Sequence, residues 1–195
     1  MRLVLASASP QRKDLLLQIG ARPDRILCPD IDETPLVGEK PRHYCRRLAT
    51  EKANAIDITS GDIILAADTT VAVGRLILGK PESAAMAQTF LRRLSGRRHR
   101  VITAVAVKTV AYMWQRDVLT VVKFCHLSDQ DINAYIRSGE WQGRAGAYGI
   151  QGKAGRFIPW LRGSFTSVVG LPLTETFQLL KNAGYQFDRE YGADS

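Results

Sequence analysis

Three groups of residues in this chain have the types and spacing for phosphate or metal chemistry. Asp68 closes an apolar run, Ile63 to Ala67, and is followed by two hydroxyl residues, Thr69 and Thr70. A carboxylate ending a buried strand reaches the carboxyl edge of a sheet, where it can hold Mg²⁺ or orient a water. The competing reading is that Asp68 caps the next turn. Asp30, Asp32 and Glu33 form a second acidic cluster, which alone reads as a surface loop and together with Asp68 offers the oxygen donors a hard cation needs. The third group is Ser7-Ala8-Ser9-Pro10, a small-residue loop. Between a strand and a helix, such a loop aims backbone N–H groups and the positive end of the helix dipole at one spot.

Other chemistries find no support. Gly74 to Lys80 fits GxxxxGK, but Pro81 stands where a nucleotide-binding P-loop needs a Ser or Thr hydroxyl, and Leu76-Ile77-Leu78 has the character of a strand. Lys80 is then either a point charge for a phosphate or a solvated turn lysine. His43 and His126 lack metal-type spacing, His99 sits among arginines, and no GxSxG elbow is present, which argues against zinc and against a serine hydrolase. Cys28, Cys45 and Cys125 are odd in number without CxxC spacing, so they read as buried free thiols. Many cations and hydroxyls at loop positions, with a few carboxylates, suit metal-assisted phosphoryl chemistry.

The elements that must position these groups follow from apolar periodicity. Leu3 to Ala6 reads as a buried strand and Lys13 to Ile19 as the helix after it, with Pro10 suited to its first turn. Pro41 to Ile56 carries Tyr44, Leu48, Ala49, Ala53 and Ile56 at helical spacing. Asp62 to Ala67 reads as a strand that Asp68 ends, Val71 to Leu78 as a second strand turned at Gly74, and Pro81 to Leu94 as a helix stopped by Ser95-Gly96. Arg100 to Val110 and Asp117 to His126 suit an antiparallel hairpin. Ser128 caps a helix running to about Arg137, with Asp131 at its third position, and a Gly-rich stretch leads to a closing helix near Pro172 to Asn182. This alternation without a repeat predicts an α/β fold with a mixed β-sheet and flanking helices, in one domain over residues 1–195.

Composition bounds the alternatives. The 195 residues are 45% hydrophobic and 24% charged, which excludes collagen-like and wholly disordered chains. No apolar run reaches the roughly 18 residues of a membrane span, and the N-terminus lacks a secretory pattern, so a cytoplasmic protein with no membrane partner is expected. Arg92, Arg93, Arg97, Arg98 and Arg100 account for five of the net +8 charges. Such a run can meet nucleic acid or a small polyphosphate, or it can be a solvated helix end. No aromatic residue is interleaved with it, which disfavours nucleic acid.

Eight ordered segments spanning about residues 3 to 182 resemble the Maf family of nucleoside triphosphate pyrophosphatases. Leu5-Ala6-Ser7-Ala8-Ser9-Pro10-Gln11-Arg12 is similar to its N-terminal signature LASxSPRR, Asp32-Glu33-Thr34-Pro35 to its DETP, and Arg47-Leu48-Ala49 with Glu51-Lys52-Ala53 to its RLAxxKA helix. Ala67-Asp68-Thr69-Thr70-Val71 is similar to ADTxV, Gly79-Lys80-Pro81 to GKP, and Leu94-Ser95-Gly96 with His99 to LSGxxH. Ala145 to Gly152 and Val169 to Leu173 resemble the last two signatures.

The resemblance implies a fold similar to the inosine triphosphatase group, with an active-site cleft between two lobes. It implies a hydrolase with a house-cleaning role in nucleotide metabolism, cleaving a nucleoside triphosphate between the α and β phosphates with a divalent cation, Mg²⁺ or Mn²⁺. Asp68 then matches the catalytic residue, the base or metal-bound orienter of the attacking water, and Glu33 helps hold the metal. Arg12, Lys52 and Lys80 neutralise the polyphosphate, and Ser7 and Ser9 contact it from the loop. At three specificity positions the pyrimidine branch, acting on dTTP and UTP, has Arg, Thr and Gln; the branch acting on methylated GTP has Trp, Gln and Glu. Here they are Gln11, Thr69 and Gln151, two of which favour pyrimidines, while Gln11 fits neither pattern. Arg144 stands where lysine is commoner and keeps the charge. The oligomeric state stays open, a homodimer included. The alternative function is a nucleic-acid-binding or cell-division regulatory protein without turnover.

Overall fold

A computed structural model describes residues 1–187. The first half runs β1 (Arg2–Ala6), α1 (Pro10–Gln18), β2 (Arg25–Leu27), α2 (Pro41–Asn54), β3 (Asp62–Val73) and β4 (Leu76–Leu78). Then come α3 (Ala84–Leu94), β5 (Arg98–Lys108), β6 (Met113–Lys123) and α4 (Asp129–Arg137). Two 3₁₀ turns, Ala145–Ala147 and Lys153–Phe157, precede β7 (Trp160–Arg162), α5 (Phe165–Val169) and α6 (Leu173–Asn182). The strands form one mixed sheet in the order β2-β1-β3-β5-β6-β7, with β4 beside β3. β1 pairs parallel with both its neighbours, and the remaining pairs are antiparallel.

The central strands carry apolar residues toward both faces, so both faces need cover. Along β3 the period of two sends Ile63, Leu65 and Ala67 to one side, where they pack with Leu15, Leu16, Leu179 and Leu180 of α1 and α6. Ile64 and Ala66 point to the other side, against Cys45, Ala49 and Ala53 of α2. Leu3, Leu5, Ile63 and Leu65 are fully enclosed, and burial of each such side chain stabilises the fold by about 1.5–3 kcal/mol. A second body of core lies beyond the sheet centre, built from Val71, Leu91, Leu94, Phe124, Ile132, Tyr135, Tyr148 and Phe157. These cores define two lobes that share β3 and β5.

Several boundaries differ from expectation for identifiable reasons. β3 does not stop before Asp68. β1 leaves its flank at the Ala6–Ala66 pair, but β5 stays paired with β3 from Ile64 to Ala72, so the ladder carries the chain onward. Asp68 therefore lies inside a twelve-residue strand, two positions beyond the end of β1, and does not cap a turn. Val71 to Val73 belong to this strand and pair back on β4 around Gly74. α1 begins at Pro10 and α3 at Ala84, where the Ser83 hydroxyl accepts from the Met86 N–H. The capping box Ser128–Asp131 is formed. β2 and α5 are additional short elements. Among the described residues no helix is long and apolar enough to cross a membrane.

Candidate active site

Asp68 and Lys52 meet because two periodicities coincide. Asp68 shares the β3 face of Ile64 and Ala66, and Lys52 shares the α2 face of Cys45, Ala49 and Ala53 that packs on it. The Lys52 ammonium donates to Asp68 Oδ1 at 2.7 Å and lies 2.8 Å from Glu33 Oε1. Thr70, two residues further along the same strand face, donates its hydroxyl to Asp68 Oδ2 at 3.1 Å. Beneath them the buried Cys45 thiol donates to the carbonyls of Asp68 and Ile102 at 3.3 and 3.2 Å, fixing the backbone. Burial pushes this thiol up, with the Asp68 charge adding to it, so it stays protonated and unreactive.

Glu33 is held from both ends. Tyr44 of α2 donates its hydroxyl to the Glu33 carbonyl at 2.8 Å, and Lys80 lies 3.4 Å from Oε2. Burial alone would raise the Glu33 carboxyl, but hydrogen bonding and charge from Lys52, then Lys80, outweigh it and hold it below the usual carboxylate range. For Lys52 burial works downward, and the charge and hydrogen bond of Asp68, joined by Glu33, carry the ammonium above its ordinary value. Both carboxylates face a cation locked in its charged form.

Ser7 and Ser9 line the same site from the β1–α1 loop. The Ser7 hydroxyl accepts from the Ser9 N–H at 3.2 Å and from Arg12 Nη1 at 3.0 Å. Arg12 also donates to the Gly170 carbonyl at 2.9 Å and to Thr69 Oγ1 at 3.3 Å. Burial lowers its proton affinity and the Asp68 charge opposes this; a guanidinium nevertheless stays charged. No side chain caps α1, and Ala8, Ser9 and Arg12 at its start line a common hollow.

These groups enclose a hollow of about 310 Å³. Ser7, Ser9, Arg12, Glu33, Lys52, Asp68, Thr69 and Lys80 all line it. Gln151 lines an adjoining hollow of about 300 Å³, which shares Arg144, Val168 and Val169 with the first. Gln11 lines neither, its amide oxygen accepting from the Ser9 hydroxyl at 3.1 Å. Asp32 folds back onto the Thr34 N–H at 2.8 Å and Asp30 also lies outside, so only Glu33 of the acidic cluster enters.

Cys28, expected as a buried thiol, is exposed and borders the hollow. The arginine run stays outside and is occupied locally. Arg92 pairs with Asp129 at 3.0 Å, Arg98 covers the Trp160 ring, and Arg100 donates to the Gly74 carbonyl. The Trp160 contact comes across the sheet, which local sequence does not reveal. The sequence marks Thr70 only as a hydroxyl after Asp68 and Arg144 only as a retained charge, and it gives no sign of the Gly170 carbonyl. Thr70 had one usable signal, its two-residue offset from Asp68 on a strand.

Asp68 and Glu33 supply hard oxygen donors, and the hollow beside them has room for further ones from a ligand. Mg²⁺ commonly takes one or two carboxylates plus substrate phosphates, so this donor set fits it. Among the described residues no group of three or more His, Cys, Asp and Glu could form a cage independent of substrate.

The family model for Maf-like proteins matches residues 2–183. The chain belongs to the Maf family. Two relatives of this Maf protein carry the name dTTP/UTP pyrophosphatase. One, from Roseobacter denitrificans, is 57% identical over 183 residues, covering 94% of this chain and 97% of its own. The other, from Cereibacter sphaeroides, is 59% identical over 184 residues, covering 94% and 96%. In fold, the Maf chain is similar to a HAM1 protein from Coxiella burnetii, with TM-score 0.51, 16% identity, and coverage of 93% of this chain and 99% of that one.

Proposed function

We propose that this Maf protein hydrolyses dTTP and UTP between the α and β phosphates, releasing the nucleoside monophosphate and pyrophosphate. The observation that carries the reading is a buried carboxylate, Asp68, clamped by Lys52 and Thr70 at the wall of a hollow also lined by Arg12, Lys80 and Glu33. Relatives at 57% and 59% identity named for this activity support it. Four cations and two carboxylates line the hollow, a net of two positive charges. A net positive hollow suits a polyanion such as a triphosphate.

Arg12, Lys52 and Lys80 bind and align the triphosphate, and the β1–α1 loop contacts it through Ser7 and Ser9. Each Asp68 oxygen accepts one hydrogen bond from the protein and keeps acceptor capacity for a water proton. Asp68 thereby orients the water, and accepts its proton as the water oxygen bonds to the α phosphorus and the pyrophosphate oxygen departs. Glu33 and Asp68 would hold the divalent cation, which when bound neutralises charge on the phosphates. Thr69 and Gln151 supply the hydroxyl and amide that match a uracil or thymine edge, and a site with matched polar groups disfavours a base that leaves them unpaired. We place the protein in the cytoplasm and read residues 1–195 as one domain, of which 188–195 lie outside the described residues.

The test is pyrophosphate release from a panel of triphosphates by the wild type and Asp68→Asn. The expected result is the highest kcat/KM for UTP and dTTP, and a loss of at least about a hundredfold in the folded variant. A folded Asp68→Asn with near-normal turnover overturns the role of Asp68, and a wild type that prefers 7-methyl-GTP overturns the pyrimidine assignment.

A further inference from the structure

Arg144 differs from every other cation of the two hollows. Arg12, Lys52 and Lys80 each have side-chain partners, whereas the Arg144 guanidinium has no hydrogen-bond or ion-pair partner among the described residues. It is partly buried and borders both hollows, the one with Asp68 and the one with Gln151. Its placement is set by its own backbone. Arg144 caps the Ala145–Ala147 turn, in which Gly146 and Ala147 take φ of 69° and 64°, and the Gly146 N–H is tied to the Gly79 carbonyl at 3.0 Å, beside Lys80. The side chain then lies along Gly149, where an added Cβ would sit 3.5 Å from Nε and 3.7 Å from Cζ. A forked donor with no protein acceptor, held at the boundary of two hollows, is arranged for an acceptor on a ligand that spans them.

We propose that Arg144 binds the base end of the substrate, donating to a carbonyl oxygen of a 2,4-dioxopyrimidine ring as the nucleotide passes from the Asp68 hollow into the Gln151 hollow. This rests on the function proposed above. The phosphate end is already served by three cations within the first hollow, and Arg144 is the cation that faces Gln151 as well. Uracil and thymine both present such an oxygen, so the contact favours the pair jointly and does not separate one from the other.

The test uses the full chain as wild type, Arg144→Met and Arg144→Lys, with melting temperature as the folding control. Three quantities are measured: binding of α,β-methylene-UTP by calorimetry, KM and kcat for UTP and dTTP, and inhibition by inorganic tripolyphosphate. Arg144→Met should weaken analogue binding and raise both KM values about tenfold, the effect of one charged hydrogen bond. Arg144→Lys should recover part of this, while kcat and tripolyphosphate inhibition stay within about twofold of wild type. An equal loss of tripolyphosphate affinity would make Arg144 a phosphate clamp and overturn the proposal, as would unchanged analogue binding in a folded Met variant. A wild type that binds the analogue through Arg144 but turns over no triphosphate would overturn the function and leave this contact standing.

Discussion

The Asp68 carboxylate is defined by its donors: Lys52 on Oδ1 and Thr70 on Oδ2. Removing the second tests whether orientation matters separately from charge. Thr70 is buried and makes this bond through its hydroxyl, so Thr70→Val keeps the shape and frees the carboxylate to rotate. A charged hydrogen bond corresponds to about 1.5–3 kcal/mol, which predicts a kcat roughly ten- to a hundredfold lower with KM little changed, read in a steady-state assay. A fall in KM affinity with normal kcat would mean that Thr70 supports binding instead. At this scale the sequence is informative about which residues can do chemistry, since Ser7, Ser9, Arg12, Glu33, Lys52, Asp68, Thr69 and Lys80 all line the hollow and all lie in short signature segments. It marks Arg144 only as a retained charge, because its lack of a partner depends on what the rest of the fold fails to place beside it. It is also misleading on Cys28, because a thiol's exposure depends on how its loop closes and not on its neighbours in the chain.

Among the elements, the Ala145–Ala147 turn shows how tightly the site is set against the sheet. A Cβ at Gly146 would come within 2.8–3.0 Å of the Val71 side chain, and the residue needs a positive φ. Gly146→Ala therefore combines backbone strain with overpacking and should destabilise the fold by about 2–4 kcal/mol, measured by denaturant unfolding. Val71→Ala in the same chain should recover the steric part but not the strain, giving a coupling energy in a double-mutant cycle. Element types were legible where apolar periodicity is long, as in α2 and the β5–β6 hairpin. The end of β3 was not legible, because pairing with β5 keeps the strand going after its apolar run stops at Asp68. α5, only five residues in a Gly-rich region, carries too few apolar positions to show a period.

For the molecule as a whole, one source of acid sensitivity should lie outside the hollow. His99 is enclosed between Phe124 and Tyr148, with Nε2 2.7 Å from the Tyr148 hydroxyl and Nδ1 without a partner among the described residues. Burial lowers its pKa to about 4 from an ordinary 6.5. The folded state thus favours the neutral ring: its stability contribution is fully present above about pH 6.5 and is lost as the pH falls toward 4. The difference corresponds to about 3 kcal/mol. Denaturation midpoints measured from pH 7.5 to 4.5 should fall for the wild type and change less for His99→Gln. Parallel slopes in the two proteins would remove His99 from the acid transition.

Lys52, wedged between Glu33 and Asp68, has a consequence for how the protein rests without substrate. Its ammonium is a counter-ion built into the chain, so the two carboxylates do not depend on a dissolved ion to coexist in the fold. A chelator should therefore stop pyrophosphate release while leaving the melting temperature of the wild type unchanged. In Lys52→Met the same carboxylates lose their shared counter-ion and keep only the more distant charges of Lys80 and Arg12, and adding Mg²⁺ should raise the melting temperature by several degrees through preferential binding to the folded chain. A wild type that melts earlier in chelator would show that the lysine does not substitute for the ion. Otherwise the divalent cation proposed above would serve turnover alone and would arrive and leave with each nucleotide, with no resting occupancy required to keep the protein folded.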